Sequence, residues 1–227
     1  MLNGYKVIYA KTGTCLDQHF REIGPKLLSK KEFGRLERYV KKSDRDLSLI
    51  GKFMLFHEIN RAGLSIANLK AIDYTSFNRP HMTFENRFLD FNISHSGNVC
   101  ILAFSLNQRI GIDIEEIRDI GINDFDSIFT PSERLWINND KVRFFTLWTR
   151  KESVLKAIGI GLYKNLEAIE VAANFATIDG TTFHFQRMPV PKNYLCTVAS
   201  MEENSRYIIE SIDIDSDFLE SISEKFK

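Results

Sequence analysis

Two acidic residues stand two positions apart in the segment IGIDIE, where Asp113 and Glu115 alternate with isoleucines. The alternation predicts a β-strand, and its period of two puts both carboxylates on one face, with Ile112 and Ile114 on the other. Neighbouring carboxylates repel each other unless a cation or a proton lies between them. The pair therefore belongs either to an exposed polar strand face or to a cation site.

A third carboxylate lies on a helix predicted over 142–158, where Glu152 and Lys156 are four residues apart and so share one stripe. Such a pair is most often a surface pair, but this helix is heavily apolar, which favours a place at the rim of a cleft. Together with Asp113 and Glu115, Glu152 could build a site of hard oxygen ligands. Magnesium suits such a site, because it binds through a few carboxylates and completes its shell with water and phosphate oxygens.

The segment FNISHSG places a histidine between two serines, at what the flanking aliphatic residues indicate is a hairpin corner. Gly97 and Asn98 supply the turn formers that a corner needs, so His95 is surplus to it. A histidine beside small hydroxyls offers a compact set of hydrogen-bond donors for an anion. Lys156 and Arg79 could neutralise further phosphate charge. The alternative for His95 is a purely structural turn histidine.

Composition excludes several classes of protein. The 227 residues carry no net charge and are 44% hydrophobic, so the whole chain gives no argument for binding nucleic acid or a membrane. Since no apolar run approaches about 20 residues, we expect no membrane span. The 3 cysteines are widely separated and form no C-x-x-C pair, which argues against a disulfide framework or a structural zinc site and predicts a reducing cytoplasm.

The hydrophobic pattern predicts an α+β fold of two similar halves, each with a long helix followed by antiparallel strands. Ser29 and Ser43 are predicted to cap the first two helices, and Gly159 to end the long helix over 142–158. Strands are predicted over 5–10, 71–77, 88–94, 99–106, 109–117, 166–172, 181–188, 194–200 and 207–213. Asn107 and Gln108 form a plausible hairpin loop, and we place the boundary between the halves there, giving 1–107 and 108–227.

Three ordered motifs, FNISHSG (91–97), IGIDIE (110–115) and LWTRKESVLKAIGIGL (147–162), resemble those of the 4′-phosphopantetheinyl transferases in their larger, surfactin-type, pseudo-dimeric branch. NRP (78–80) and FTPSE (129–133) are weaker matches. The resemblance implies two α/β halves related by a pseudo-twofold axis, with the active site at their interface. It implies transfer of the phosphopantetheine arm of coenzyme A to a serine of an acyl or peptidyl carrier protein, releasing 3′,5′-ADP.

The resemblance also implies residue roles. Asp113, Glu115 and Glu152 would be the metal ligands for Mg²⁺, or alternatively Mn²⁺. Glu152 would also be the general base, directly or through water, and Lys156 would contact the pyrophosphate and assist the leaving group. The residues expected to bind coenzyme A are His95, Ser94, Arg79, Pro80, Arg45 and Lys156, and Glu133 matches an acidic position of auxiliary role.

One part of the chain departs from the family pattern. The family helix that follows the position of Asp44 usually carries two arginines, and the corresponding residues here are Lys52 and Phe56. The contacts to the 3′-phosphate therefore stay open among Lys41, Lys42 and Arg45.

Two other functions remain open besides the transferase: a coenzyme A-binding module without catalysis, and a metal-dependent pyrophosphate hydrolase. For the transferase we expect carrier choice to depend on the segment 117–136. We also expect a monomer, which binds neither nucleic acid nor membrane.

Overall fold

The structure is a computed structural model that describes residues 4–13, 16–64, 69–75, 79–84, 87–106, 108–159 and 166–226. The strands are β1 (Tyr5–Lys11), β2 (Asp73–Tyr74), β3 (Pro80–Phe84), β4 (Arg87–Ser96), β5 (Val99–Ser105), β6 (Ile110–Glu116), β7 (Phe175–Ile178), β8 (Thr181–Arg187), β9 (Tyr194–Ser200) and β10 (Tyr207–Ser211). The helices are α1 (Asp17–Glu22), α2 (Gly24–Leu27), α3 (Lys30–Glu37), α4 (Lys42–Arg61), α5 (Pro131–Ile137), α6 (Lys141–Ile158) and α7 (Ser216–Glu224), with 3₁₀ turns at Ile122–Ile128 and Leu166–Ala168.

The strands form two sheets. One has the order β10-β1-β5-β4-β3-β2, and the other has the order β6-β9-β8-β7. All strand pairs are antiparallel except β1 with β10, which run parallel. The prediction of an α+β fold with a long helix and antiparallel strands in each half is confirmed.

Helix α4 covers the outer face of the six-stranded sheet and is buried on several sides between Asp46 and Ile59. Leu47, Ile50, Met54 and Ile59, the predicted buried stripe, are at most 1% exposed. The Ser29 hydroxyl accepts a hydrogen bond from the Glu32 backbone N–H, so the predicted cap of α3 is present.

Helix α6 covers the outer face of the four-stranded sheet and contacts β6 unusually closely. A Cβ atom at Gly111 would collide with the backbone of Ser153 and Ala157, so only glycine permits this approach. Gly159, with φ of 83°, ends the helix in the left-handed conformation. The close approach fixes the height of α6 relative to the acidic strand β6.

The inner faces of the two sheets pack against each other. Val7 and Ile101 of the six-stranded sheet share one buried cluster with Ile112, Ile114 and Val198 of the four-stranded sheet. The layers therefore run helix, sheet, sheet, helix. Since the even-numbered residues of β6 face the other sheet, its odd-numbered acids face α6.

The end of the chain returns to the first half. Strand β10 pairs with β1, and Leu219 and Ile222 of α7 belong to the same core as α4. In space, residues 207–226 thus lie with the six-stranded sheet, whereas the sequence boundary assigns them to the second half. None of the helices in the described ranges is long and apolar enough to cross a bilayer.

Three local predictions are wrong. The N-cap of α4 is Lys41 rather than Ser43, which lies inside the first turn of the helix. Strands β5 and β6 lie in different sheets, so the link between them is not a hairpin; alternation predicts strands without saying which ones pair. The predicted strand over 166–172 is a 3₁₀ turn followed by irregular backbone. Its backbone groups bond to buried side chains instead of a strand: Lys151 Nζ donates to the carbonyls of Leu166 and Ile169, and the Val171 N–H donates to Glu133.

Candidate active site

A cleft of about 320 Å³ opens where strand β4 of one sheet meets strand β6 and helix α6 of the other half. Its lining comes from three elements: Ile93, Ser94 and His95 from β4, Asp113 and Glu115 from β6, and Trp148, Glu152 and Lys156 from α6. The period of two on β6 and the spacing of four on α6 explain why these side chains share one space. Six of the residues singled out from the sequence meet here.

Asp113 is the most buried acid of the cleft, at 4% exposure. Its Oδ1 accepts hydrogen bonds from Lys156 Nζ at 2.6 Å and from the Ser94 hydroxyl at 2.9 Å. Its Oδ2 is buried and has no hydrogen-bonding partner among the described residues. An unpaired buried carboxylate oxygen costs about 1–3 kcal/mol or more, so this atom could bind a cation or a donor that the described residues do not supply.

Two further carboxylates crowd this acid. Burial, with the charge of Asp113, raises the pKa of Glu115, although a hydrogen bond from Ser96 at 2.7 Å opposes the shift. Burial, again with the charge of Asp113, raises the pKa of Glu152, and Lys156 opposes that shift. Mutual repulsion of this kind is relieved by a cation among the carboxylates.

The carboxylates do not form a complete set of metal ligands in this arrangement. Across the described part of the chain, no three Asp, Glu, His or Cys side chains lie close enough together to hold an ion. The Lys156 ammonium partly neutralises Asp113 in this arrangement. That Asp113, Glu115 and Glu152 hold a small divalent cation therefore stays a prediction; the hard oxygen donors, the buried Asp113 Oδ2 and the raised pKa of both glutamates suit such a cation.

His95 lines the cleft from strand β4. Burial lowers the pKa of His95 below its usual value, and the carboxylate of Asp44 at the start of α4 opposes this shift only in part. The imidazole is therefore mainly neutral near pH 7 and can offer one N–H to an anion.

Arg79 is not among the residues that line the cleft, although the sequence grouped it with His95. Its Nε donates to the Lys156 carbonyl at 2.9 Å, and its Nη2 donates to Asp90 at 2.6 Å and to the Ile110 carbonyl at 3.0 Å. These contacts join the two halves behind the cleft. Its contact with phosphate stays a prediction.

The other predicted coenzyme A residues also lie apart from the cleft lining. Arg45 Nη2 pairs with Asp17 at 2.5 Å and with Asp46 at 2.6 Å, because α1 supplies an acid that sequence reasoning missed. Pro80 pairs with Tyr74 on the short strand β2. Their roles in binding coenzyme A stay predictions.

Sequence reasoning missed two neighbours of the site. Ser96 bonds to Glu115, and Lys151, beside Glu152, forms a buried pair with Glu133 at 2.8 Å. Period-two spacing from Ser94 could have identified Ser96 as a neighbour of the acidic strand. A lysine adjacent to a catalytic candidate gives no such signal, because on a helix it faces elsewhere.

Fold and cleft define a class: an α+β protein of two halves, with carboxylates, a lysine and a histidine gathered between them. Comparison with known families narrows the class. The model of the 4′-phosphopantetheinyl transferase superfamily matches residues 109–199, and a model described as 4′-phosphopantetheinyl transferase, N-terminal, matches residues 17–107.

Curated relatives agree with these matches. The 4′-phosphopantetheinyl transferase gsp of Aneurinibacillus migulanus is 30% identical over 175 residues, 74% of this chain and 72% of that protein. The L-aminoadipate-semialdehyde dehydrogenase-phosphopantetheinyl transferase of Schizosaccharomyces pombe is 32% identical over 62% of each chain. Sfp of Bacillus subtilis is 40% identical over 86 residues, 36% of this chain and 38% of that protein. The chain belongs to the 4′-phosphopantetheinyl transferase family.

Proposed function

We propose that this protein transfers the 4′-phosphopantetheine arm of coenzyme A to a serine hydroxyl of an acyl or peptidyl carrier protein. The reaction depends on Mg²⁺, which Mn²⁺ can replace, and releases 3′,5′-ADP. One observation carries the proposal: the cleft joins Asp113, with its unpaired Oδ2, to Glu115, Glu152 and Lys156. Family membership supplies the reaction class.

The reaction is a substitution at phosphorus. The carrier serine oxygen forms a bond to the phosphorus that bears the pantetheine arm, and the bond from that phosphorus to the bridging oxygen of 3′,5′-ADP breaks. Glu152 accepts the serine proton, directly or through water. Lys156 donates to the departing phosphate oxygens.

Catalysis of this kind depends on positioning and charge neutralisation more than on a protein nucleophile. A bound Mg²⁺ would neutralise charge on the pyrophosphate oxygens. Asp113, Glu115 and Glu152 would hold it. Lys156 must then shift its ammonium from Asp113 towards the phosphates, so substrate binding and release of Asp113 Oδ1 are coupled in this proposal.

Coenzyme A would lie along strand β4, with His95 donating an N–H to a nucleotide phosphate. Arg45, Lys41 and Lys42 are candidates for the 3′-phosphate, although Arg45 and Lys42 both pair with Asp17 in this structure. Binding at that end would therefore compete with an existing ion-pair cluster. Ser94 and Pro80 would line the pocket, and Arg79 would hold a nucleotide phosphate together with His95.

The decisive experiment follows transfer of fluorescent coenzyme A to purified carrier proteins. Glu152→Ala should abolish labelling while circular dichroism shows an unchanged fold. Glu220→Ala, at an exposed position of α7 far along the chain, is the matched control and should label at the wild-type rate. Labelling by Glu152→Ala at the wild-type rate would show that the site is assigned wrongly.

The same assay separates the alternative functions. A transferase releases 3′,5′-ADP only when a carrier is present, whereas a pyrophosphate hydrolase releases it without one. A binding module would retain coenzyme A tightly and turn over with none of the carriers. A panel of fatty-acid, polyketide and peptide carriers then tests whether the protein acts as a holo-[acyl-carrier-protein] synthase or serves a wider range.

Carrier choice would depend on the segment 117–136. This segment contains the 3₁₀ turn Ile122–Ile128 and ends in the exposed side chains of Leu135 and Trp136, which are 81% and 43% accessible. Exposed apolar residues on a short helix can receive an amphipathic helix of a partner. Exchange of this segment with that of a relative of different preference should move carrier choice, and an unchanged preference would refute its role.

A further inference from the structure

Side chains of strand β4 bond to the backbone of strand β6 in a regular series. The acceptors Asp90, Asn92, Ser94 and Ser96 take hydrogen bonds from the backbone N–H groups of Ile110, Ile112, Ile114 and Glu116, at 2.8, 3.0, 3.4 and 3.1 Å. Each pair is separated by 20 residues. We call these four contacts the β4–β6 ladder.

The ladder replaces a missing strand. Strand β6 is at the edge of its sheet, so the N–H groups on its free side have no neighbouring strand to bond to. Alternate side chains of β4 satisfy them, because both strands repeat every two residues. A slip of one residue would turn the wrong face of β4 to β6. The ladder therefore fixes which β6 residue lies beside which β4 residue.

The two serine rungs do more than the other two. A hydroxyl has one hydrogen to donate and two lone pairs to accept. Ser94 donates to Asp113 Oδ1 at 2.9 Å and accepts from Ile114 and from Lys156, so its capacity is filled by the protein. Ser96 donates to Glu115 Oε2 at 2.7 Å. Each serine thus binds both the strand and the carboxylate that the strand carries.

We infer that Ser94 and Ser96 are positioning residues for the metal ligands. Each holds one oxygen of its carboxylate and leaves the second oxygen for the cation. The inference rests on the proposed function, since it takes Asp113 and Glu115 as ligands. It assigns Ser96 a role in the reaction, and it makes Ser94 a partner of Asp113 rather than a group that binds coenzyme A through its hydroxyl.

Ser96 offers the cleaner test, because Ser94 also contacts Lys156. Ser96→Thr and Ser96→Val have nearly the same shape, suit a strand, and differ in the hydroxyl. The readout is Mn²⁺ binding to the folded protein without coenzyme A, measured by electron paramagnetic resonance. Loss of a group that orients a metal ligand typically weakens metal affinity about 10–100-fold, so Ser96→Val should bind Mn²⁺ at least about 10-fold more weakly than Ser96→Thr.

Asn92→Ala and Asp113→Asn complete the design. Asn92 forms a rung but touches no cleft carboxylate, so Asn92→Ala should lower the unfolding free energy while the folded protein keeps its Mn²⁺ affinity. If Ser96→Val and Ser96→Thr bind Mn²⁺ equally well while Asp113→Asn loses it, the inference is overturned and the metal site stands. If Asp113→Asn binds Mn²⁺ like the wild type, or the wild type binds none, the proposed metal site fails instead.

Discussion

Helix α6 contributes two lysines, five residues apart, that each pair with a carboxylate of another element. The two pairs differ in how many of their hydrogen-bonding groups have partners. Lys151 and Glu133 are both at most 1% exposed and pair at 2.8 Å. Glu133 also accepts from the backbone N–H groups of Thr130 and Val171, while Lys151 donates to two carbonyls of the loop after α6. Both Glu133 oxygens have partners.

The pair between Lys156 and Asp113 is different. Asp113 Oδ2 has no hydrogen-bonding partner among the described residues, and the charge of Asp113 raises the pKa of both Glu115 and Glu152 beyond the effect of burial. A saturated network makes structure rigid, whereas a buried group without its full set of partners costs stability and persists where function needs it. The comparison separates Lys151, which holds the structure together, from Lys156, which we propose acts on substrate, although both are lysines on one helix.

The largest effect on stability should come from the saturated pair. Lys151→Met leaves Glu133 as a buried charge without its counter-ion, which typically costs about 3–5 kcal/mol of unfolding free energy. Urea denaturation measures the loss. Addition of Glu133→Gln removes the uncompensated charge and should restore part of it. A loss under about 1 kcal/mol in Lys151→Met would show that the pair does not hold the loop.

Of the two pairs, the pair of Lys156 and Asp113 should have the larger effect on catalysis. Lys156→Met removes charge stabilisation from the leaving group and should lower the transfer rate about 10²–10³-fold. Its stability loss should be smaller, about 1.5–3 kcal/mol, because Asp113 retains Ser94 and the Lys156 side chain is 27% exposed.

Divalent cations sharpen this contrast. Mg²⁺ should restore part of the stability of Lys156→Met, since a cation can take the place of the ammonium beside Asp113. No cation should rescue Lys151→Met. Equal rescue of both variants would contradict the distinction between the two pairs.

Substitution of Arg79 tests whether its guanidinium stabilises the structure or binds a phosphate of coenzyme A. Arg79→Lys cannot bridge Asp90, the Lys156 carbonyl and the Ile110 carbonyl together, so it should lose about 1.5–3 kcal/mol of unfolding free energy. If the guanidinium serves structure alone, KM for coenzyme A changes little. A KM rise of about 10-fold at unchanged stability would instead support the phosphate contact that the sequence predicts.

The smallest predicted effect is the change in Tm that Glu152→Gln causes in the absence of metal. Its folded pKa lies above that of an unfolded glutamate, so folding takes up a proton and the unfolding free energy falls as pH rises through the folded pKa. Glu152→Gln has no charge to bury and should raise the Tm by a few degrees at most, at pH 8 in EDTA. In Mg²⁺ the order of Tm should reverse. If Glu152→Gln has a lower Tm than the wild type in EDTA, the repulsion inferred among the three acids is contradicted.

Much of the cleft could be predicted because its residues obey simple periods. Asp113 and Glu115 repeat every two residues on a strand, and Glu152 and Lys156 every four on a helix, so local geometry alone places each pair on one face. Three motifs in order then indicate the family. The α+β fold with two halves follows from the same patterns.

What could not be predicted depends on long-range partners. Arg79 pairs with Asp90, and Arg45 pairs with Asp17, through contacts between elements that local patterns do not relate. The loop over 166–172 reads as a strand because its residues are apolar, but buried Lys151 and Glu133 take its backbone groups. In each case a charged side chain found its partner through tertiary structure.

The most direct test is anomalous diffraction at the manganese edge from crystals grown with MnCl₂ and coenzyme A. We expect one peak within metal–oxygen bonding distance, about 2.0–2.3 Å, of carboxylate oxygens from Asp113, Glu115 and Glu152. Lys156 should then have moved off Asp113 towards the phosphates. A peak elsewhere, or no peak at these carboxylates, would contradict the shared cation on which the mechanism depends.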